Sequence, residues 1–134
     1  MRAVLLFDSK WGRYLVAGKK FDGNVYHQVA VWGEDLNAFW IMEKADGDWY
    51  YLFDALHGQY LKVLDSGNGS IHEGNVTDQD YACWNLIRIG DQERYYLKNK
   101  GTRLYVVAGA EHPDNNVYQQ LLTEGEPNAI WQMQ

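Results

Sequence analysis

The chain has 134 residues and a mass of 15.5 kDa, room for one core by the usual range of roughly 100–200 residues per domain. Its lone cysteine, Cys83, excludes an internal disulfide framework. A net charge of −6 and a pI near 5.1 exclude the clustered cations that nucleic acids and anionic lipid surfaces require.

Aromatic residues make up 15% of the chain, with 6 Trp and 10 Tyr, against 2 Pro, while mean hydropathy is −0.49. No apolar stretch approaches the roughly 18 residues of a membrane-spanning helix, and no membrane insertion is expected. The first element, Ala3-Val4-Leu5-Leu6-Phe7, meets Asp8 at once. It is too short for the apolar region of a signal peptide and predicts a strand. With a free thiol besides, a cytoplasmic location is expected, with release by a non-classical route as the secondary expectation.

Taken in chain order, Gly12-Arg13-Tyr14-Leu15 predicts the second strand, Gly23-Asn24-Val25-Tyr26-His27-Gln28 the third, and Ala38-Phe39-Trp40 with Met42 the fourth. The same elements then return. Tyr51-Leu52-Phe53-Asp54, Gly58-Gln59-Tyr60-Leu61, Gly69-Ser70-Ile71-His72-Glu73-Gly74 and Ala82-Cys83-Trp84 with Leu86 form the second set. Tyr96-Leu97-Lys98-Asn99, Thr102-Arg103-Leu104-Tyr105, Asn115-Asn116-Val117-Tyr118-Gln119-Gln120 and Ala129-Ile130-Trp131 with Met133 form the third. These segments, kept in one order three times, define repeats of about 1–46, 47–90 and 91–134 within a single domain spanning 1–134.

Each repeat reads as four short strands bounded by turn residues. Nowhere does an apolar stripe hold the i, i+3, i+4, i+7 spacing of a helix. Twelve strands in three equal units predict an all-β protein, a β-trefoil with pseudo-three-fold symmetry, because propellers need more than three blades to close. One four-stranded unit cannot bury its own apolar face, so the three must pool their large residues. Trp40, Trp84 and Trp131, with Leu6, Leu52, Leu97, Val25, Ile71 and Val117, are the expected core. Cys83, inside the same motif, is expected to be a small buried hydrophobe. Trp32 and Trp11 remain outside that assignment.

The run from Gly-Arg-Tyr-Leu through Gly23-Asn24-Val25-Tyr26 to Asn37-Ala38-Phe39-Trp40 resembles the ricin-B-type β-trefoil lectins, and Gly23-Asn24-Val25-Tyr26 is similar to the actinohivin-like members. The resemblance covers all three repeats and implies a carbohydrate-binding β-trefoil. Ala38, Ala82 and Ala129 stand where the family's Gln-any-Trp motif has Gln. Val16-Ala17 and Val106-Val107-Ala108 follow the Gly-any-Tyr-Leu strand, where the family places a sugar-binding aspartate, and Asp65 is the acid near that place in the second repeat. The family's aromatic platform falls near Val29, Asn75 and Leu121. Its galactose site is therefore not carried over intact.

A sugar needs a flat apolar surface for its C–H face and convergent donors and acceptors for its hydroxyls. Asp22, Asn24, Tyr26, His27, Trp32 and Asn37 offer these in the first repeat, His72 and Asp80 in the second, and Asn116, Tyr118, Glu126 and Asn128 in the third. These differ enough that three equivalent sites are not expected. Shallow sites of this kind gain strength from multivalency, and glycans or glycoproteins are the expected partners of a non-enzymatic, defensive lectin. A homodimer is compatible with the aromatic-rich composition.

No catalytic residue, cofactor or metal is expected. The histidines at 27, 57, 72 and 112 recur at no metal-ligand spacing, and there is no Gly-any-Ser-any-Gly elbow. Asp65-Ser66-Gly67-Asn68 lacks the rest of a calcium loop, and Gly67-Asn68-Gly69 reads as a hairpin turn. The alternative reading is a β-trefoil protease inhibitor acting through a surface loop, Val31–Leu36 or Gly109–Asp114.

Overall fold

The computed structural model describes residues 2–17, 25–28, 36–63, 71–75, 80–109, 117–121 and 127–134, with the side chains of His27 and Gln120 outside that description. The first repeat supplies β1 (Arg2–Val4), β2 (Leu6–Asp8), β3 (Arg13–Ala17), β4 (Val25–Gln28) and β5 (Trp40–Asp46). The second supplies β6 (Trp49–Asp54), β7 (Gln59–Val63), β8 (Ile71–Gly74) and β9 (Trp84–Arg88). The third supplies β10 (Arg94–Asn99), β11 (Tyr105–Ala108), β12 (Val117–Gln120) and β13 (Trp131–Met133). A 3-10 turn precedes the last strand of each repeat, at Leu36–Ala38, Asp80–Ala82 and Pro127–Ala129. No helix among the described residues is long and apolar enough to cross a membrane.

Every ladder is antiparallel. The first strand of each repeat pairs at its start with the last strand of its own repeat and, in the second and third repeats, along nearly all its length with that of the repeat before. Thus β6 joins β9 and β5, and β10 joins β13 and β9. In the first repeat these tasks fall to separate pieces, β1 on β5 and β2 on β13. The described strands therefore number thirteen, where the pattern predicts twelve. The break falls at Leu5, whose amide and carbonyl exchange hydrogen bonds of 3.0 and 2.9 Å with Gln134. With β1 and β2 taken as one strand, the path β1-β5-β6-β9-β10-β13-β2 returns to its start and leaves no open edge. Outside this barrel, hairpins β3–β4, β7–β8 and β11–β12 converge, with β4, β8 and β12 in mutual contact.

The expected core residues meet inside. Trp40, Trp84, Trp131, Leu6, Leu52 and Leu97 are fully buried, as are Val25, Ile71 and Val117 to within a few per cent. Removing side chains of this size from water contributes about 1.5–3 kcal/mol each. A buried indole N–H also needs an acceptor, and the three repeats solve this identically. Trp40, Trp84 and Trp131 Nε1 donate to the carbonyls of Leu15, Leu61 and Val106 at 3.0, 2.8 and 3.1 Å. Ala38, Ala82 and Ala129 are also fully buried. A small side chain suits the tight turn before each tryptophan, and no polar group is presented there.

One register differs from the sequence reading. Gly12 and Gly58 close the turns after β2 and β6 with φ of 71° and 69°, and their amides bond to the carbonyls of Asp8 and Asp54. In the third repeat Arg103, not Thr102, takes this place, with φ 62° and its amide on the Asn99 carbonyl. Arginine in a left-handed conformation concealed the match, because that backbone geometry usually selects glycine.

Candidate functional site

Along β4, β8 and β12 the strand alternation puts Val25, Ile71 and Val117 inward and Tyr26, His72 and Tyr118 outward. These three half-buried side chains occupy equivalent places, opposite Val16, Lys62 and Val107 on the neighbouring strands. Val16 and Val107 are themselves buried, and Lys62 bridges to the carbonyl of Asn75 at 3.2 Å. The three positions following the Gly-any-Tyr-Leu pattern therefore hold no carboxylate.

Asn37 and Asn128 are held by the backbone. Asn37 is 2% exposed, and its amide donates to the carbonyl of Ala17 at 2.9 Å; Asn128 donates to that of Ala108 at 3.1 Å. Their recurrence thus has an architectural cause, the fastening of a 3-10 turn to the end of β3 or β11. Tyr81 takes the corresponding place in the second repeat and packs against the core. Asp80 is exposed and faces Lys100 at 3.6 Å. Asp22, Asn24, Trp32, Asn116 and Glu126 lie outside the described residues, as does the side chain of His27. So do Asp65, Ser66, Gly67 and Asn68, and most of both loops assigned to the inhibitor reading.

The surplus Trp11 finds a place: it packs against the core with Lys10 Nζ 5.2 Å from its ring centre. Cys83 is 3% exposed, and burial pushes its thiol pKa up, opposed by a hydrogen bond with Tyr51. Low thiolate content goes with low nucleophilicity.

Two aromatic features were not foreseen. The first lies on the barrel wall, where Phe7 faces Tyr14 at 4.9 Å and Phe53 faces Tyr60 at 5.0 Å, with Tyr96 and Tyr105 6.1 Å apart in the third repeat. The Tyr14 hydroxyl donates to Gln134 Oε1 at 3.2 Å and that of Tyr60 to Glu43 Oε2 at 3.3 Å. The second is an open groove of about 440 Å³ at one end of the barrel. Met42, Leu86 and Met133, each two residues beyond a core tryptophan, line it together with Tyr50, Tyr95, Arg2 and Asp48. Tyr95 donates to Glu93 at 2.7 Å, a bond that raises the tyrosine pKa and lowers that of the carboxylate. The signal was present in the Met/Leu/Met ending of the tryptophan motif, since alternate strand residues share a face.

A further set of polar groups is buried where each turn after β2, β6 or β10 meets the third strand of its repeat. In the third repeat Asn99 Oδ1 accepts the amides of Gly101 and Thr102 at 2.9 and 3.1 Å, and Thr102 Oγ1 donates to Gln119 Oε1 at 2.9 Å. Asn99 Nδ2 donates to the carbonyl of Tyr81 at 3.0 Å. In the first repeat Asp8 takes the place of Asn99. One of its oxygens accepts the Lys10 amide at 3.0 Å, the other has no hydrogen-bond partner among the described residues, and burial pushes its pKa up to about 6.

In the second repeat the corner holds Asp54, His57 and Glu73, with a ligand atom of each within 4.8 Å of the others. Asp54 is fully buried, Glu73 is 7% exposed and His57 is half-buried. The sequence reading expected no such grouping. Residues 54 and 57 share a turn, and 73 arrives only through the β7–β8 register that sets Leu61 opposite Glu73.

Comparison with solved structures decides the architecture. The designed three-fold symmetric protein ThreeFoil superposes with a TM-score of 0.84 over 98% of this chain and 96% of its own, at 19% identity. The fold is a β-trefoil. Polyporus squamosus lectin, solved with the epitope Neu5Acα2-6Galβ1-4GlcNAc, matches over 98% of this chain with a TM-score of 0.83 and 19% identity. The GlcNAcα1-4Gal-releasing endo-β-galactosidase of Clostridium perfringens does so with a TM-score of 0.81 and 18% identity. The chain spans about half of the Polyporus protein, 48%, and 31% of the galactosidase. The sequence matches no protein-family model and no curated protein.

Proposed function

We propose that this β-trefoil is a carbohydrate-binding protein without catalytic activity of its own, taking glycans at shallow sites on the hairpin cap. The observation that carries the reading is the match of nearly the whole chain to a lectin solved with a sialylated trisaccharide. The galactosidase, three times longer than the region matched, supports an accessory binding unit better than a catalytic one.

Within the cap, Tyr26 and Tyr118 present the half-buried rings suited to a sugar's apolar face. Asp22, Asn24, His27 and Trp32 in the first repeat, and Asn116 and Glu126 in the third, are the groups proposed to complete those sites. The second repeat offers His72 and Asp80, with no ring of tyrosine size at the outward position. We therefore assign the first and third repeats as paired sites and the second as a distinct or weaker one, with linked sites gaining avidity.

A glycan array followed by competition with free sugar tests the reading. The expected result is selective retention that millimolar hapten reverses; failure to retain any glycan would overturn it. Tyr26→Ala and Tyr118→Ala should each weaken single-site binding by about 0.5–1.5 kcal/mol, up to roughly tenfold in Kd. His72→Ala should change it less.

A further inference from the structure

We propose that the corner of the second repeat, between the β6–β7 turn and β8, binds a divalent transition-metal ion through Asp54, His57 and Glu73. Zinc is the probe its chemistry fits best. One imidazole nitrogen and two carboxylates, with ligand atoms within 4.8 Å of one another, make a mixed nitrogen and oxygen set that leaves a coordination position for water. Calcium and magnesium favour sets made of oxygen alone and need more of them.

Two observations point to a cation beyond the grouping itself. Asp54 is fully buried, and although its Oδ1 accepts the Leu56 amide at 2.9 Å, its Oδ2 has no hydrogen-bond partner among the described residues. A buried carboxylate oxygen in that condition carries a desolvation penalty that an ion would offset. The second observation comes from the molecule's own symmetry. The same corner in the third repeat is occupied by Asn99, Thr102 and Gln119, all uncharged and joined by hydrogen bonds. The architecture is thus satisfied without any ionisable group there. The second repeat replaces all three with ionisable ones, and two carboxylates brought together in a buried corner draw in positive charge, from the His57 imidazole when protonated or from a bound cation when it is not. Among the described residues no other set of three such side chains converges in this way.

Isothermal titration of zinc into the metal-stripped full chain, paired with thermal melts, tests the assignment. One ion per chain and a rise in Tm are expected, since a ligand that binds only the folded state stabilises it. The variant Asp54→Asn/His57→Thr/Glu73→Gln transplants the third repeat's solution and should fold while losing the zinc heat and the Tm rise. His57→Ala, at a half-buried turn position, reads the same site should the triple variant fail to fold, and should weaken zinc by about tenfold or more. The proposal is overturned if the folded wild-type chain takes up no zinc at micromolar concentration, or if His57→Ala binds it unchanged. Equal heats from calcium and zinc would overturn the assignment to a transition metal.

Discussion

The tryptophan layer and the three turn corners obey the same symmetry to different degrees. At the axis Trp40, Trp84 and Trp131 have the same identity, burial and indole bond, to within a few tenths of an ångström. At the corners the equivalent places hold Asp8 with Trp11, Asp54 with His57 and Glu73, and Asn99 with Thr102 and Gln119. The physical difference is what each region shares. The three indoles belong to one continuous core cluster, so a change in one is transmitted to the others through the close-packed residues between them. Each corner draws its side chains from one repeat, the third reaching out only to backbone carbonyls of the second such as that of Tyr81, and its few polar groups are what must be satisfied. Symmetry is therefore held in the core that all three repeats share and relaxed at the corners, which leaves the corners and the outward face of the cap open to chemistry of their own.

The largest test of this comparison is to break the axis. Trp84→Ala should destabilise the fold by about 3–5 kcal/mol, since it opens a cavity and leaves the Leu61 carbonyl without its donor. Trp40→Ala and Trp131→Ala should agree with it within about 1 kcal/mol if the layer is truly shared. Urea denaturation reads all three, and a wide spread among them would show that the repeats carry unequal loads.

A corner substitution should be smaller and pH-dependent. The unfolded Asp8 carboxyl titrates at 3.8 and the folded one at about 6, so the folded chain holds the proton more tightly. Stability from this group is fully present below pH 3.8 and is lost as pH rises through 6. Asp8→Asn, which installs the residue the third repeat uses, should flatten that trend and raise stability at neutral pH. The gain should be about 1–2 kcal/mol after allowance for solvent screening. Denaturation midpoints between acid and neutral pH check the sign, and a wild-type stability that fell on acidification through this range while Asp8→Asn matched it would refute the assignment.

The smallest effect belongs to the turns. Gly58→Ala forces a side chain into a left-handed backbone and should cost about 1 kcal/mol. Arg103→Ala replaces one side chain with another at the same φ and should change stability by no more than about 0.5 kcal/mol. Thermal melts of the two variants, compared directly, separate them.

These comparisons also show what could be read from residues alone. The repeat, the all-β class and the core were legible because apolar positions recur with fixed spacing, and spacing survives when identity drifts from Val25 to Ile71 and back to Val117. Register at the third turn was not, since the glycine that marks the turn elsewhere is Arg103 there. The recurrence of Asn37 and Asn128 was legible but its cause was not, because a side chain bonded to a backbone carbonyl and one poised for a ligand leave the same trace in sequence. The corner of Asp54, His57 and Glu73 depends on a cross-strand register, which no spacing rule encodes. Of the proposed cap sites, the outward places of Tyr26, His72 and Tyr118 were recognisable from alternation on a strand, whereas most of their proposed partners lie outside the described residues.

The reciprocal bonds between Leu5 and Gln134 bring the first and last strands into register as neighbours. In topological terms the barrel has three equivalent seams, and the described strands open at one of them. A chain opened instead at the tight turn of Gly47 or Gly90 and joined across the present seam would trace the same ring of strands with every ladder retained. The order in which the repeats leave the ribosome is thus separable from the order in which they pack, and the cap with its corners belongs to the ring, independent of where the ring is cut.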